Sequence, residues 1–440
     1  MLSDKEKLLK KLMAKKGFGL PGGTAQPAKS KRSVQLENFM RVVGNTGRAV
    51  DFSLPENSAA STVERTIANA GGFQDAYLDD SRVMFVGNVA CSEIVEALDF
   101  VPFNGQVLSY FLAAAGAAGA FLDIAEKNHL SRDICPVVRC VLGAAVENCL
   151  PTPDFITFAY FPCDSGARMF YALADAYDCP WFLLDMPERR GNAAAQYLAQ
   201  RMKEMVARVE NALGIEAVPD RIAAAVEESK ETMRYYEKLI SLSLAHQVCP
   251  SVHKFTTDTT THLSRMGSPG ATQGVRLCYE ELLDSVETAG KIRAKERPRV
   301  IWDGLMPFYN NEIIRYMEEG CGLEVMSNLL PAMTQNIGGL LAEKDPYMYM
   351  ARRQLHFAGI DDTKFDVLEP YGIDGIIRFN QWGCRRHLSV NQIIRDRLTQ
   401  SGMAMLDIDG DFIDSRGYSF SQVKIRMDAF AEMLKNRSEV

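Results

Sequence analysis

An α/β fold built on parallel sheets is predicted for this chain by two features. Short, continuously apolar runs rich in Val, Ile, Phe and Leu alternate along the sequence with longer amphipathic runs of helical period. No polar/apolar alternation of the kind that marks half-exposed antiparallel strands interrupts this rhythm. The length of 440 residues leaves room for two or three domains with substantial cores.

The elements follow in order. Met1 to Lys16 form a Lys-rich amphipathic pattern, followed by the Gly/Pro/Ser/Lys run GFGLPGGTAQPAKSKRS, so residues 1–35 are expected to be a basic helix and a flexible linker. A transit peptide fits less well, because Asp4 and Glu6 lie in the helix and arginine is missing from it. The first α/β domain is expected over 36–218, with strands at RVMFVGNV from Arg82, PDFITFAYFP from Pro153 and PWFLLDMP from Pro180. Residues 219–296 carry helical periodicity and no convincing strand, and read as a helical connector. The second α/β domain, 297–440, has strand-like runs RPRVIWDGL, GLEVMSN, IDGIIRFN and GMAMLDIDGD, and closes on the helical pattern SFSQVKIRMDAFAEMLKN. No repeat of fixed period is present, although the two halves could share a fold.

Composition narrows the function classes. Apolar residues make up 47% and charged residues 24%, with a net charge of -7, so nucleic acid is not an expected partner. The apolar stretch from Val101 to Ala125 is interrupted by Asn104, Gln106 and glycines, and no membrane span is expected. Ten cysteines without a secretory signal point to a reducing, cytoplasmic setting, with thiols that are buried, metal-bound or catalytic rather than paired.

Open α/β sheets bind ligands at the carboxyl ends of their strands. Three cysteines fall just there: Cys91 after RVMFVGNVA, Cys163 after PDFITFAYFP and Cys384 after IDGIIRFNQWG. A fourth, Cys135, opens CPVVRCVLGAAVENC with proline at the first helical position. Each of the four is thus placed at a helix N-terminus, where exposed amides and the helix dipole favour a thiolate, the form that binds iron. Position alone leaves a metal or cluster site and plain core packing both open. Cys140 and Cys149 are assigned to the helix that Cys135 opens; Cys179, Cys249, Cys278 and Cys321 lack a strand-end setting and read as core. No C-x-x-C pair, P-loop, convincing GxGxxG or GxSxG elbow occurs. His253 and His262, in HKFTTDTTTH, read as loop residues.

The segments CSEIVEAL, CPVVR, PDFITFAYFPCDSGAR, PWFLLDMPER, DGIIRFNQWGCRRHLSVNQIIRDRL and MLDIDGDFIDSRGYSFSQVKIRMDAFAEML, in that order from about Arg82 to Leu434, resemble successive blocks of the 2-hydroxyacyl-CoA dehydratase and benzoyl-CoA reductase family, in particular the 2-hydroxyglutaryl-CoA dehydratase D-component. The resemblance implies two Rossmann-like parallel-sheet domains with a [4Fe-4S] cluster in the cleft between them. It places the ligand cysteines on Cys135, Cys163 and Cys384. Cys91 stands where the family more often has proline or another small residue, and its role stays open. Glu93 matches an acidic residue beside the substrate, the expected proton shuttle, and its neighbour Ser92 is a candidate hydrogen-bonding group; an N-terminal helix carboxylate is the plainer reading of Glu93.

The implied reaction is a radical, ketyl-type elimination of water from a 2-hydroxyacyl-CoA to a 2-enoyl-CoA after one-electron activation. Implied partners are an acyl-CoA, a paralogous or identical second subunit, and a separate ATP-dependent iron–sulfur activator. Three alternatives remain: a benzoyl-CoA reductase-like or double-cubane reductase, an electron-relay subunit that binds no substrate, and a plain α/β protein with core cysteines.

Overall fold

The structure is a computed structural model, and it describes residues 30–45, 72–87, 91–246, 265–289, 297–309, 312–327, 337–358, 365 and 368–438. The expected basic helix from Met1 to Lys16, and Cys249, His253 and His262, lie outside the described residues.

The first half begins with α1 (Lys31–Gly44), whose start is capped by the Ser30 hydroxyl accepting from the Ser33 amide. Then come β1 (Val83–Val86), α2 (Ser92–Ala97), β2 (Val101–Phe103), α3 (Gly105–Ala114), α4 (Ala118–Lys127), α5 (Pro136–Val146), β3 (Phe155–Ala159), α6 (Asp164–Tyr177), β4 (Trp181–Leu184) and α7 (Asn192–Leu213). Their strands form one parallel sheet in the order β2-β1-β3-β4. All four residues of β1 are buried, which is why that run carries no polar alternation.

Two long helices follow, α8 (Pro219–His246) and α9 (Pro269–Ala289). The second half contains β5 (Arg299–Asp303), α10 (Glu312–Arg315), β6 (Glu324–Ser327), α11 (Ile337–Leu341), α12 (Pro346–Ala358), β7 (Gly375–Gln381), α13 (Arg385–Ser389), α14 (Asn391–Gln400), β8 (Ala404–Gly410) and α15 (Phe420–Ser438). Its parallel sheet runs β6-β5-β7-β8, the same order as the first. Each sheet therefore has its switch point between its first and third strands, β1 and β3 in one half and β5 and β7 in the other.

Two expectations need correction. The apolar run from Val101 holds a strand, β2, before the buried helices α3 and α4, which are bent by 119° to one another. Pro102 hid it; proline is tolerated because β2 is an edge strand. Cys149 also lies beyond the helix opened by Cys135, which ends at Val146; the turn that follows places Asn148 at φ +50. No single helix among the described residues is long and apolar enough to cross a membrane.

The halves interlock through their cores. Tyr110 of α3 stacks on Phe308, which follows β5, at 4.5 Å between ring centroids, with the edge of Phe412 5.8 Å from Tyr110. In return, α12 of the second half buries Tyr349, Met350 and Ala351 in the cluster that holds Met84, Val86 and Phe155 of the first sheet. Burial of large aromatics in both directions holds the carboxyl ends of the two sheets in register.

Candidate functional site

Cys163 stands four residues beyond β3 and caps α6; its Sγ accepts the Gly166 amide at 3.3 Å. The fit at Gly166 is close, because a Cβ there would sit 3.2 Å from the Cys163 sulfur and 3.2 Å from Gln106 Nε2. Cys384 stands three residues beyond β7 and caps α13. Cys135 caps α5, with Pro136 in the first turn. The N-capping positions inferred from sequence are thus the observed ones for all three, and Cys91 likewise caps α2.

The turn before Cys384 rests on Cys135. Gly383 has φ +74, and a Cβ on it would lie 2.9 Å from the Cys135 nitrogen and 3.1 Å from the Asp133 carbonyl. On its other side, Arg385 pairs with Asp164, the residue after Cys163, and the Arg386 guanidinium lies 4.5 Å over the Phe161 ring. The turn after β7 therefore joins the other two cysteine turns across the boundary between halves.

The three thiols are close enough to feel one another. Burial pushes the Cys135 thiol well up, Cys163 and Cys384 push it further, and the amides of Val137 and Val138 pull it down. Burial likewise raises Cys163, opposed by the Gly166 amide and reinforced by Cys384. Three thiols that repel one another's ionisation while helix amides favour it form a donor set suited to a cation-rich group. A single tetrahedral ion, with bonds of about 2.3 Å, would draw its thiolates to roughly 4 Å apart. No three His, Cys, Asp or Glu side chains among the described residues gather tightly enough to hold one ion.

Cys91 is buried with different company: burial and Glu93 push its thiol up, and Arg353 opposes them. Glu93 is fully buried, and Arg353 Nη2 donates to its two oxygens at 2.7 and 2.9 Å. Ser229 of α8 donates to the same carboxylate at 2.8 Å and lies 3.1 Å from the Tyr349 hydroxyl. Gly267, at φ +89, closes over the site, where a Cβ would come within 2.9 Å of Glu93 Cγ. Beside it, the Ser92 hydroxyl is buried and has no hydrogen-bond partner among the described residues.

Sequence reasoning missed Arg353, Ser229 and Gly383. Arg353 left a trace: it follows Tyr349, Met350 and Ala351 on the buried face of YMYMARRQLHF, where a charge demands a partner.

Comparison with known proteins identifies the family. The profile of the family described as 2-hydroxyglutaryl-CoA dehydratase, D-component, matches residues 88–434. The chain belongs to that family. It is 18% identical over 343 residues to the (R)-phenyllactyl-CoA dehydratase alpha subunit of Clostridium sporogenes, covering 74% of this chain and 83% of that protein. It is 20% identical over 378 residues to the (R)-2-hydroxyisocaproyl-CoA dehydratase alpha subunit of Clostridioides difficile, covering 79% and 89%. The profile match over residues 88–434 establishes the family, and identities of 18% and 20% leave the acyl group open.

Proposed function

We propose that this chain is the iron–sulfur subunit of a 2-hydroxyacyl-CoA dehydratase. The observation that carries the reading is the meeting of Cys135, Cys163 and Cys384, drawn from both halves, at the carboxyl ends of β3 and β7. These three would hold a [4Fe-4S] cluster, and when bound the cluster supplies one-electron chemistry and an iron with an open coordination position. In the proposed reaction one electron enters the thioester carbonyl, the 2-hydroxyl leaves, the β-proton is lost and the electron is returned, so the net change is loss of water.

The chain's own residues have separable tasks. The three cysteine turns would present the thiols to the cluster from both halves, and the aromatic stack of Tyr110, Phe308 and Phe412 keeps the halves in register. The Ser92 hydroxyl, without a partner among the described residues, is available to bond a substrate oxygen. Glu93 is the proposed acceptor of the β-proton, a step that requires part of its pairing with Arg353 to be released. Because both relatives are named as alpha subunits, a second subunit is the proposed partner. Low-potential electrons would come from a separate ATP-dependent iron–sulfur activator in the cytoplasm.

The test is anaerobic purification with metal analysis. About four irons and four sulfides per chain are expected, against about eight for a double cubane. Serine at Cys135, Cys163 or Cys384 should lose iron, and serine at Cys91 should retain it. Dehydration of an acyl-CoA should require the second subunit, activator and ATP. A colourless, iron-free chain would overturn the reading.

A further inference from the structure

We infer that Arg139 is a positioning residue that fixes Cys135 against the second half of the molecule, acting as the hub of an ionic clamp between the halves. The inference rests on the reading of Cys135 as a ligand. Arg139 is only 3% exposed, lies one helical turn beyond Cys135 in α5, and turns back toward it. Its Nε donates to the Ile134 carbonyl at 3.0 Å, the peptide immediately before Cys135. Its Nη1 donates to Glu126 of α4 at 2.7 Å, while Nη2 lies 3.7 Å from Asp414 and 4.0 Å from Asp411, both in the segment after β8. Arg416 completes the clamp from the second half: it reaches back to Asp123 at 2.7 Å and Glu126 at 2.5 Å while holding Asp414 at 2.6 Å.

The direction of each contact gives the function. Glu126 takes three arginines, Arg132 and Arg139 from the first half and Arg416 from the second, so the α4–α5 pair and the segment after β8 cannot separate without breaking an ion pair that shares the buried Arg139. The same arginine that joins them anchors the turn from which the Cys135 thiol emerges. Cys135 is meanwhile pressed by the Gly383 turn that leads to Cys384. Opening the clamp would therefore release Cys135 from Cys384 first, and leave Cys163, held within the first half by Gly166, in place. Lysine cannot replace Arg139, because one ammonium lacks the planar fork that serves the Ile134 carbonyl and Glu126 at once.

The experiment uses the full chain in its iron-free form, with Arg139→Lys and Arg416→Gln variants. Iodoacetamide modification of each cysteine is followed by mass spectrometry, alongside circular dichroism and thermal unfolding. Cys135 should be modified about tenfold faster in both variants, with Cys163 unchanged, as local opening rather than unfolding predicts. After reconstitution, both variants should lose iron to a chelator about tenfold faster than the parent chain, by the same local opening. Should Arg139→Lys fail to fold, Arg416→Gln decides alone, since Arg416 is one-third exposed. Unchanged Cys135 reactivity, or equal acceleration of all three cysteines, would overturn the inference. A parent chain that takes up no iron, with Cys135 still released in the variants, would sink the cluster reading and leave the clamp standing.

Discussion

Replacing Arg353 with methionine should show how the compartment around Glu93 is held. The guanidinium and the carboxylate are 2% and 0% exposed, joined at 2.7 Å, and Ser229 is the other hydrogen-bond donor to Glu93 among the described residues. Without the arginine, the fully buried carboxylate keeps one hydroxyl donor, Ser229. Breaking a buried pair in this way costs about 3–5 kcal/mol. Replacing both partners, as Glu93→Gln with Arg353→Met, should recover most of that loss, because no charge remains to be desolvated. Urea unfolding read by far-ultraviolet dichroism, with hydrogen exchange at α2 and α12, measures the cycle; exchange matters because two interlocked halves need not unfold in one step. A cost below about 1 kcal/mol for Arg353→Met alone would refute the buried-pair argument. The same double variant separates fold from chemistry: folded and inactive is the expected result if Glu93 carries the proton, and folded with full dehydration activity would remove Glu93 from the mechanism.

Burial raises the Asp411 carboxyl from 3.8 to about 6, even though the Ile413 and Asp414 amides donate to it. The folded chain thus holds that proton more tightly than the unfolded chain, so this contribution is fully present below 3.8 and is lost as pH rises to about 6. The loss amounts to about 3 kcal/mol, and Asp411→Asn, which keeps both amide contacts, should abolish the slope and be the more stable form near neutrality; parallel pH–stability curves for the two would contradict this. Gly383→Ala should cost roughly 1–2 kcal/mol for its left-handed backbone. The added methyl would also displace Cys135 and lower iron content, so an alanine variant with full iron would count against the packing of the two turns. Cys140, Cys149 and Cys179 are each pushed up to about 12 by burial and should resist alkylation in the folded chain, whereas any of them reacting as fast as Cys384 would mean the cores open readily.

Much of the site could be read from the chain because its signals are local. A buried parallel strand must be continuously apolar, and the residue after its closing turn must cap a helix, so Cys91, Cys163 and Cys384 were placed by pattern alone. Proline after Cys135 marked a fourth helix start for an equally local reason. The strand β2 escaped because three residues including a proline carry too little periodicity to register.

Sequence by itself determined the α/β class, the capping position of each candidate thiol and, through ordered motifs, membership in the dehydratase D-component family. Local pattern gave all four thiols one setting, the family resemblance singled out three of them, and tertiary structure shows the neighbours each one has. Four cysteines with the same local setting divide into three that interact and one, Cys91, buried beside Glu93 and Arg353. The physical reason is that a helix cap is fixed within a few residues, whereas a pairing such as Glu93 with Arg353, 260 residues apart, depends on how the halves pack. That packing rests on rings and ion pairs with no periodicity in the chain: Tyr110 against Phe308, and Arg139 and Arg416 sharing Glu126.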